Sequence, residues 1–82
     1  MTADEARDLL CAALREVAPE ADLAAADPNG LLQDEFGLDS IDFVNIVNAV
    51  DERAGVTIPE RDFPRLSTFR NFVAYLVADG RS

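Results

Sequence analysis

The sequence predicts an all-α fold: a small four-helix bundle with a long loop between the first two helices and a short third helix. Three observations carry that expectation. Apolar residues recur at helical spacing in three separate windows, helix start and stop signals bracket those windows, and no stretch alternates as a half-buried strand would. At 82 residues and 49% hydrophobic, the chain holds one core, near the size where burial only just outweighs chain entropy. It therefore reads as one domain, with an ordered core over about 3–78 and a short polar tail at 79–82.

The first helix is expected over about Ala3 to Ala18. Thr2 followed by Glu5 makes a capping box, and Ala6, Leu9, Leu10, Ala13, Leu14 and Val17 form the apolar stripe. Pro19 and the cluster Asp27-Pro28-Asn29-Gly30 break the periodicity and open a connection to about Leu38, with Leu31, Leu32 and Phe36 as apolar pins. So long a connection in so small a domain points to a purpose. Asp39 is the expected N-cap of a second helix that ends near Ala54 and Gly55. Val56-Thr57-Ile58-Pro59 leads into one helical turn at most, because Pro64 disfavours helical geometry at Phe63. The last helix starts after Ser67 as its cap, aligns Phe69, Phe72, Val73 and Leu76, and stops at Asp79-Gly80.

Placed around an axis at about 100° per residue, the second helix turns Phe43, Ile46, Val47, Val50 and Ala54 toward the core. Ile41, Val44, Asn45, Asn48 and Glu52 fall on the other side, where two aliphatic residues sit among polar ones. Such a spot suits an interaction helix, although single exposed aliphatics are also common.

Charge narrows the partners. Sixteen acidic residues face seven basic ones, all arginine, for a net charge of -9. From Glu16 to Glu52 there are ten acids and no base, which disfavours nucleic acid and anionic membranes and suits basic patches on proteins. No apolar stretch is long enough to span a bilayer. The single cysteine, Cys11, has no internal disulfide partner, and the acidic start does not resemble a secretory signal, so a cytoplasmic, monomeric chain is expected. Cys11 sits at the edge of an apolar stripe and is given no function.

Within Gly37-Leu38-Asp39-Ser40-Ile41-Asp42, Ser40 is the first helical residue after its cap. Its hydroxyl then projects where unpaired amides and the positive end of the helix dipole favour a phosphate. Gly37 permits backbone angles closed to other residues and leaves room for an approaching enzyme, while Leu38 and Phe36 anchor the loop. The same residues also make an ordinary helix start. Two site chemistries fail outright. A serine hydrolase lacks a base, since the chain has no histidine, and lacks the strand that would present its nucleophile. A calcium loop aligned on Gly30 places Ala25 at the first ligand position and Phe36 at the bidentate acid.

The arrangement resembles the acyl carrier protein family over nearly the whole chain. The resemblance rests on a first helix, a long loop, Gly37-Leu38-Asp39-Ser40-Ile41 opening the second helix, Val56-Thr57-Ile58-Pro59 before a short third, and Ser67-Thr68-Phe69 opening the fourth. It implies a carrier and not an enzyme. A separate phosphopantetheinyl transferase, using magnesium, would move 4'-phosphopantetheine from coenzyme A onto Ser40, with Asp39, Gly37 and Ile41 framing the site. The terminal thiol would then hold acyl groups as thioesters, loaded by a ligase or acyltransferase and read by synthases or transferases with basic docking patches. On this resemblance Asp34, Glu35, Asp39, Asp42, Ile41 and Val44 become partner contacts, with Asn45 and Asn48 on the same outward face. Fatty-acid-synthesis members carry more acids on that helix, and Phe43, Phe63, Phe69 and Phe72 are bulky for the family. Within fatty-acid, polyketide or related specialised biosynthesis, the first departure disfavours a housekeeping role and favours a freestanding carrier of a specialised pathway, while the second implies a smaller cavity in which a long acyl chain is poorly sheltered. A peptidyl or aminoacyl carrier is the nearest alternative, and more often has Gly where Asp39 stands. From another class, an unmodified acidic helical adaptor explains the charge but gives Ser40 no task.

Overall fold

The computed structural model describes residues 1–79. Helix α1 spans Ala3–Val17, α2 spans Leu32–Glu35, α3 spans Ser40–Ala54, a 3-10 helix spans Glu60–Leu66, and α4 spans Phe69–Asp79. The end of the last helix at Gly80, and the tail after it, lie outside the described residues.

Each long helix starts where a side chain satisfies its first amides. In α1 the Glu5 N–H donates to Thr2 Oγ1 at 3.1 Å and the Thr2 N–H donates to Glu5 Oε1 at 2.8 Å, the expected capping box. Ala6, Leu10, Ala13 and Leu14 are fully buried, whereas Leu9 and Val17 lie at the margin of the stripe. Helix α1 packs against both α3 and α4, so the core forms along its inner face. Ile46, Val47, Ala49 and Val50 supply the α3 side; Phe72, Tyr75 and Leu76 supply the α4 side. Phe43 and Ala54, expected in the core, are only half-buried, while Ala49 is buried. Helix α3 packs chiefly on α1, and Phe43 meets the Phe63 ring at the margin of the core instead of entering it.

The long connection is built on local hydrogen bonds. The Gly30 N–H donates to the Asp27 carbonyl at 3.0 Å, the Asn29 N–H to Asp27 Oδ1 at 2.9 Å, and the Asp27 N–H to Glu35 Oε1 at 2.8 Å. Its far end is tied to the start of α4: Leu32 N–H donates to the Ser67 carbonyl at 2.8 Å and Arg70 N–H to the Pro28 carbonyl at 3.0 Å. Of the three expected pins, Leu32 is fully buried and Phe36 packs on the core, but Leu31 is 51% exposed. Leu31 serves through its backbone, paired with Thr68 in an isolated bridge and leading into α2, a short helix within the expected loop.

Two further expectations need correction. The segment after Pro59 is longer than one turn: seven residues wind as a 3-10 helix with Pro64 inside. Tertiary contacts hold it despite the proline. Leu66 is fully buried, the Phe63 ring meets Phe43 edge-on at 5.9 Å, and Tyr75 Oη donates to Asp62 Oδ2 at 2.7 Å. The Arg65 guanidinium lies 5.0 Å from the centre of the Tyr75 ring. The cap of α4 is Thr68, not Ser67, because the Asn71 N–H donates to Thr68 Oγ1 at 3.0 Å. Ser67 closes the 3-10 helix in helical geometry and gives its carbonyl to Leu32.

Candidate functional site

Asp39 has extended backbone angles and caps α3, as the sequence predicts. The Asp42 N–H donates to Asp39 Oδ1 at 2.8 Å, and the Asp39 N–H returns a longer bond of 3.4 Å to Asp42 Oδ2. This reciprocal box fixes where the first turn begins and therefore which residue stands at its tip. That residue is Ser40, which is exposed. Among the described residues its hydroxyl has no hydrogen-bond partner, and the Ser40 and Ile41 amides have no acceptor.

The approach to Ser40 is held from both sides. Leu38 is buried at 9% exposure and its N–H donates to the Gln33 carbonyl at 2.9 Å, so loop and α2 brace each other. Gly37 has φ 63, in the left-handed region where L side chains are strained. A Cβ there would meet nothing within 4 Å. Glycine is thus demanded by the backbone angle; the room around it would exist with a side chain present.

Ser40 also lines an open cleft of about 340 Å³ with Gln33, Phe43, Val44, Phe63, Pro64 and Ser67. Gln33 did not stand out in the sequence, and Pro64 and Ser67 did so only as a helix breaker and a cap, not as lining of a cleft. Gln33 lies on α2, far along the chain from Pro64 and Ser67 on the 3-10 helix and its end, and nothing in the local pattern signals that the two stretches meet. The only sequence-level hint was the bulk of Phe43 and Phe63, whose edge-to-face contact forms one wall.

The outward face of α3 carries Ile41 at 71% exposure and Val44 at 40%, beside exposed Asn45 and Asn48. Asp34 is exposed on α2, and Asp42 is half-buried in the cap. Glu35 is exposed too, but its carboxylate accepts the Asp27 amide and lies close against Gly30, so it closes the loop besides adding charge.

This geometry presents an alcohol and does not activate it. The chain has no histidine, the two nearest carboxylates in sequence are engaged by cap amides, and no metal-binding cluster of His, Cys, Asp or Glu exists among the described residues. A phosphodiester fits on Ser40: the hydroxyl is exposed, no packed neighbour encloses it, and two unpaired amides of the first turn lie beside it. Among the described residues, no helix is long and apolar enough to cross a membrane.

Comparison with known proteins adds to this picture. A family model described as "Phosphopantetheine attachment site" matches residues 4–76. An acyl carrier protein of Streptomyces coelicolor is 34% identical over 73 residues, covering 89% of this chain and 75% of the relative. An acyl carrier protein of Campylobacter hominis is 30% identical over 73 residues, covering 89% of this chain and 86% of the relative. Acyl carrier protein MbtL of Mycolicibacterium paratuberculosis is 33% identical over 60 residues, covering 73% of this chain and 67% of the relative.

Proposed function

The chain belongs to the acyl carrier protein family, whose members carry phosphopantetheine, and from that premise we propose that Ser40 is the residue to which the arm is attached. The observation that carries the assignment is an exposed, unpartnered hydroxyl at the first position of a capped helix. Attachment joins Ser40 Oγ to the phosphorus of coenzyme A nearest the pantetheine. The bond to the nucleotide phosphate breaks, and the proton of the hydroxyl leaves with a base that this chain does not supply. A separate transferase must therefore bring both the base and the magnesium ion. The arm, once bound, supplies a thiol that holds acyl groups as thioesters.

The remaining residues orient and present. Asp39 and Asp42 hold the first turn, Gly37 and Leu38 set the loop, and the Ile41 and Val44 pair offers a small apolar contact to partner enzymes. Asp34, Asp39 and Asp42, with Glu35 behind them, give an acidic rim that steers basic docking patches. The ligase or acyltransferase that loads the thiol and the synthases or transferases that read it are the expected partners of a monomeric carrier. Neutral Asn45 and Asn48 on the outward face support a carrier of a specialised pathway over a housekeeping one. Asp39 in the place where peptidyl carriers more often have glycine supports an acyl cargo over an aminoacyl one.

The test is incubation with coenzyme A and a broad-specificity transferase, read by intact mass. The parent gains the mass of one phosphopantetheinyl group. Ser40→Ala gains none and keeps its helicity, since an exposed first-turn hydroxyl contributes little to stability. A parent that stays unmodified would favour the unmodified adaptor, and a variant that unfolds would make Ser40 structural.

A further inference from the structure

A second depression shares no lining residue with the cleft beside Ser40. It has a volume of about 380 Å³ and is bounded by α1, the long connection and α4, with Leu23, Pro28, Phe36, Phe69 and Val73 among its walls. Two charged residues line it, Arg7 and Arg70, and no acid does. That runs against the composition, in which sixteen acids oppose seven bases.

Neither arginine is committed elsewhere. Arg7 has one pairing, to Asp4 at 3.9 Å, and both side chains are largely exposed at 60% and 92%, so solvent screens the pair and it is readily exchanged. Arg70 has no acid within ion-pair distance among the described residues. Its backbone is nonetheless fixed, by the bond from its N–H to the Pro28 carbonyl and by its place in the first turn of α4.

We propose that this groove binds a small apolar carboxylic acid, of which a medium-chain fatty acid is the type. The apolar walls take the hydrocarbon body and the guanidinium groups take the carboxylate in the forked geometry that suits it. The volume sits at the low end of ligand pockets. Polyanions are disfavoured because the field of the chain repels them and the groove carries only two cationic side chains. Binding here needs no arm on Ser40.

The decisive experiment titrates the isotopically labelled chain with octanoate and, separately, with octan-1-ol at low salt, following amide chemical shifts. Octanoate should give saturable shifts centred on Leu23, Phe69 and Val73 and bind about tenfold more tightly than the alcohol, the gain of one charge-assisted contact. In the double variant R7Q/R70Q that preference should fall to about twofold or less, with circular dichroism unchanged because both side chains are exposed. Equal affinity for acid and alcohol, shifts centred on Ser40, Phe43 and Phe63, or no saturation would overturn the proposal. Each of those results leaves the assignment of Ser40 standing, because attachment is read separately by mass.

Discussion

Replacing Asp39 with Ala removes the acceptor that holds the Asp42 amide at 2.8 Å and leaves the α3 capping box with only the longer 3.4 Å bond from the backbone N–H at position 39 to Asp42 Oδ2. Loss of an N-cap side chain costs about 1 kcal/mol, and loss of a negative charge at the positive end of the helix adds a few tenths at low salt. The expected destabilisation is therefore about 1–1.5 kcal/mol. In a domain of this size that corresponds to a fall in Tm of roughly 5–10 °C. Asn caps as well as Asp, so Asp39→Asn should lose only the charge contribution, about 0.3 kcal/mol. Urea unfolding followed by circular dichroism measures both, with the m-value expected to stay constant because the buried surface does not change. The consequence for presentation follows from the same number. A loss of about 1 kcal/mol raises the open population of the first turn about fivefold if it acts locally, so loading of Ser40 by a transferase should slow in Asp39→Ala and hold in Asp39→Asn. If Asp39→Ala unfolds with the parent, or Asp39→Asn falls as far as Asp39→Ala, the cap is not what holds Ser40 in place.

Other perturbations test separate parts of the structure. Gly37→Ala should cost about 1 kcal/mol because φ 63 is strained for alanine while its Cβ meets nothing, and Gly37→Asn should cost less; equal losses measured by urea unfolding would point to a steric cause instead. Tyr75→Phe removes the 2.7 Å bond to Asp62 and should cost about 1–2 kcal/mol, with amide exchange rising first in the 3-10 helix; uniform loss of protection would mean that the bond does not pin that segment. Partial burial holds the Asp51 carboxyl above the ordinary carboxylate range, opposed by the bond it accepts from the Ile58 amide. The folded state then binds the proton more tightly than the unfolded one, so this group lowers stability as pH rises from the ordinary carboxylate range through the raised pKa. Asp51→Asn should match the parent below that window and exceed it above, by more than the exposed control Glu52→Gln, which relieves the same net repulsion; equal gains in pH-dependent unfolding would assign the effect to overall charge.

Much of the fold was legible because its signals are local. Thr2 and Glu5, or Asp39 and Asp42, lie three residues apart and meet whenever a helix forms, so the α1 and α3 starts could be placed from chemistry alone. Gly55 ends α3 at φ 68 for a reason carried by the residue itself. The position of Ser40 followed from Asp39 in the same way. Readings that failed depended on partners distant in the chain. Ser67 and Thr68 are equally good caps on paper, and the choice falls to Thr68 because the Ser67 carbonyl is taken by the Leu32 amide. Pro64 argues for a short third helix until Phe43, Tyr75 and the buried Leu66 are brought against it.

By itself the sequence determined the helical class, the acidic field and the serine at a helix tip, since periodicity, charge and capping act over a few residues and survive any arrangement of the rest. Tertiary structure alone decided that the hydroxyl of Ser40 is exposed and unpartnered, that it borders a cleft with Phe43 and Phe63, and that Arg7 and Arg70 line one groove. Those are properties of surfaces assembled from separate elements. Which side chains converge on them depends on how α1, α3 and α4 pack, and close packing of a shared core fixes that only when the whole chain has folded.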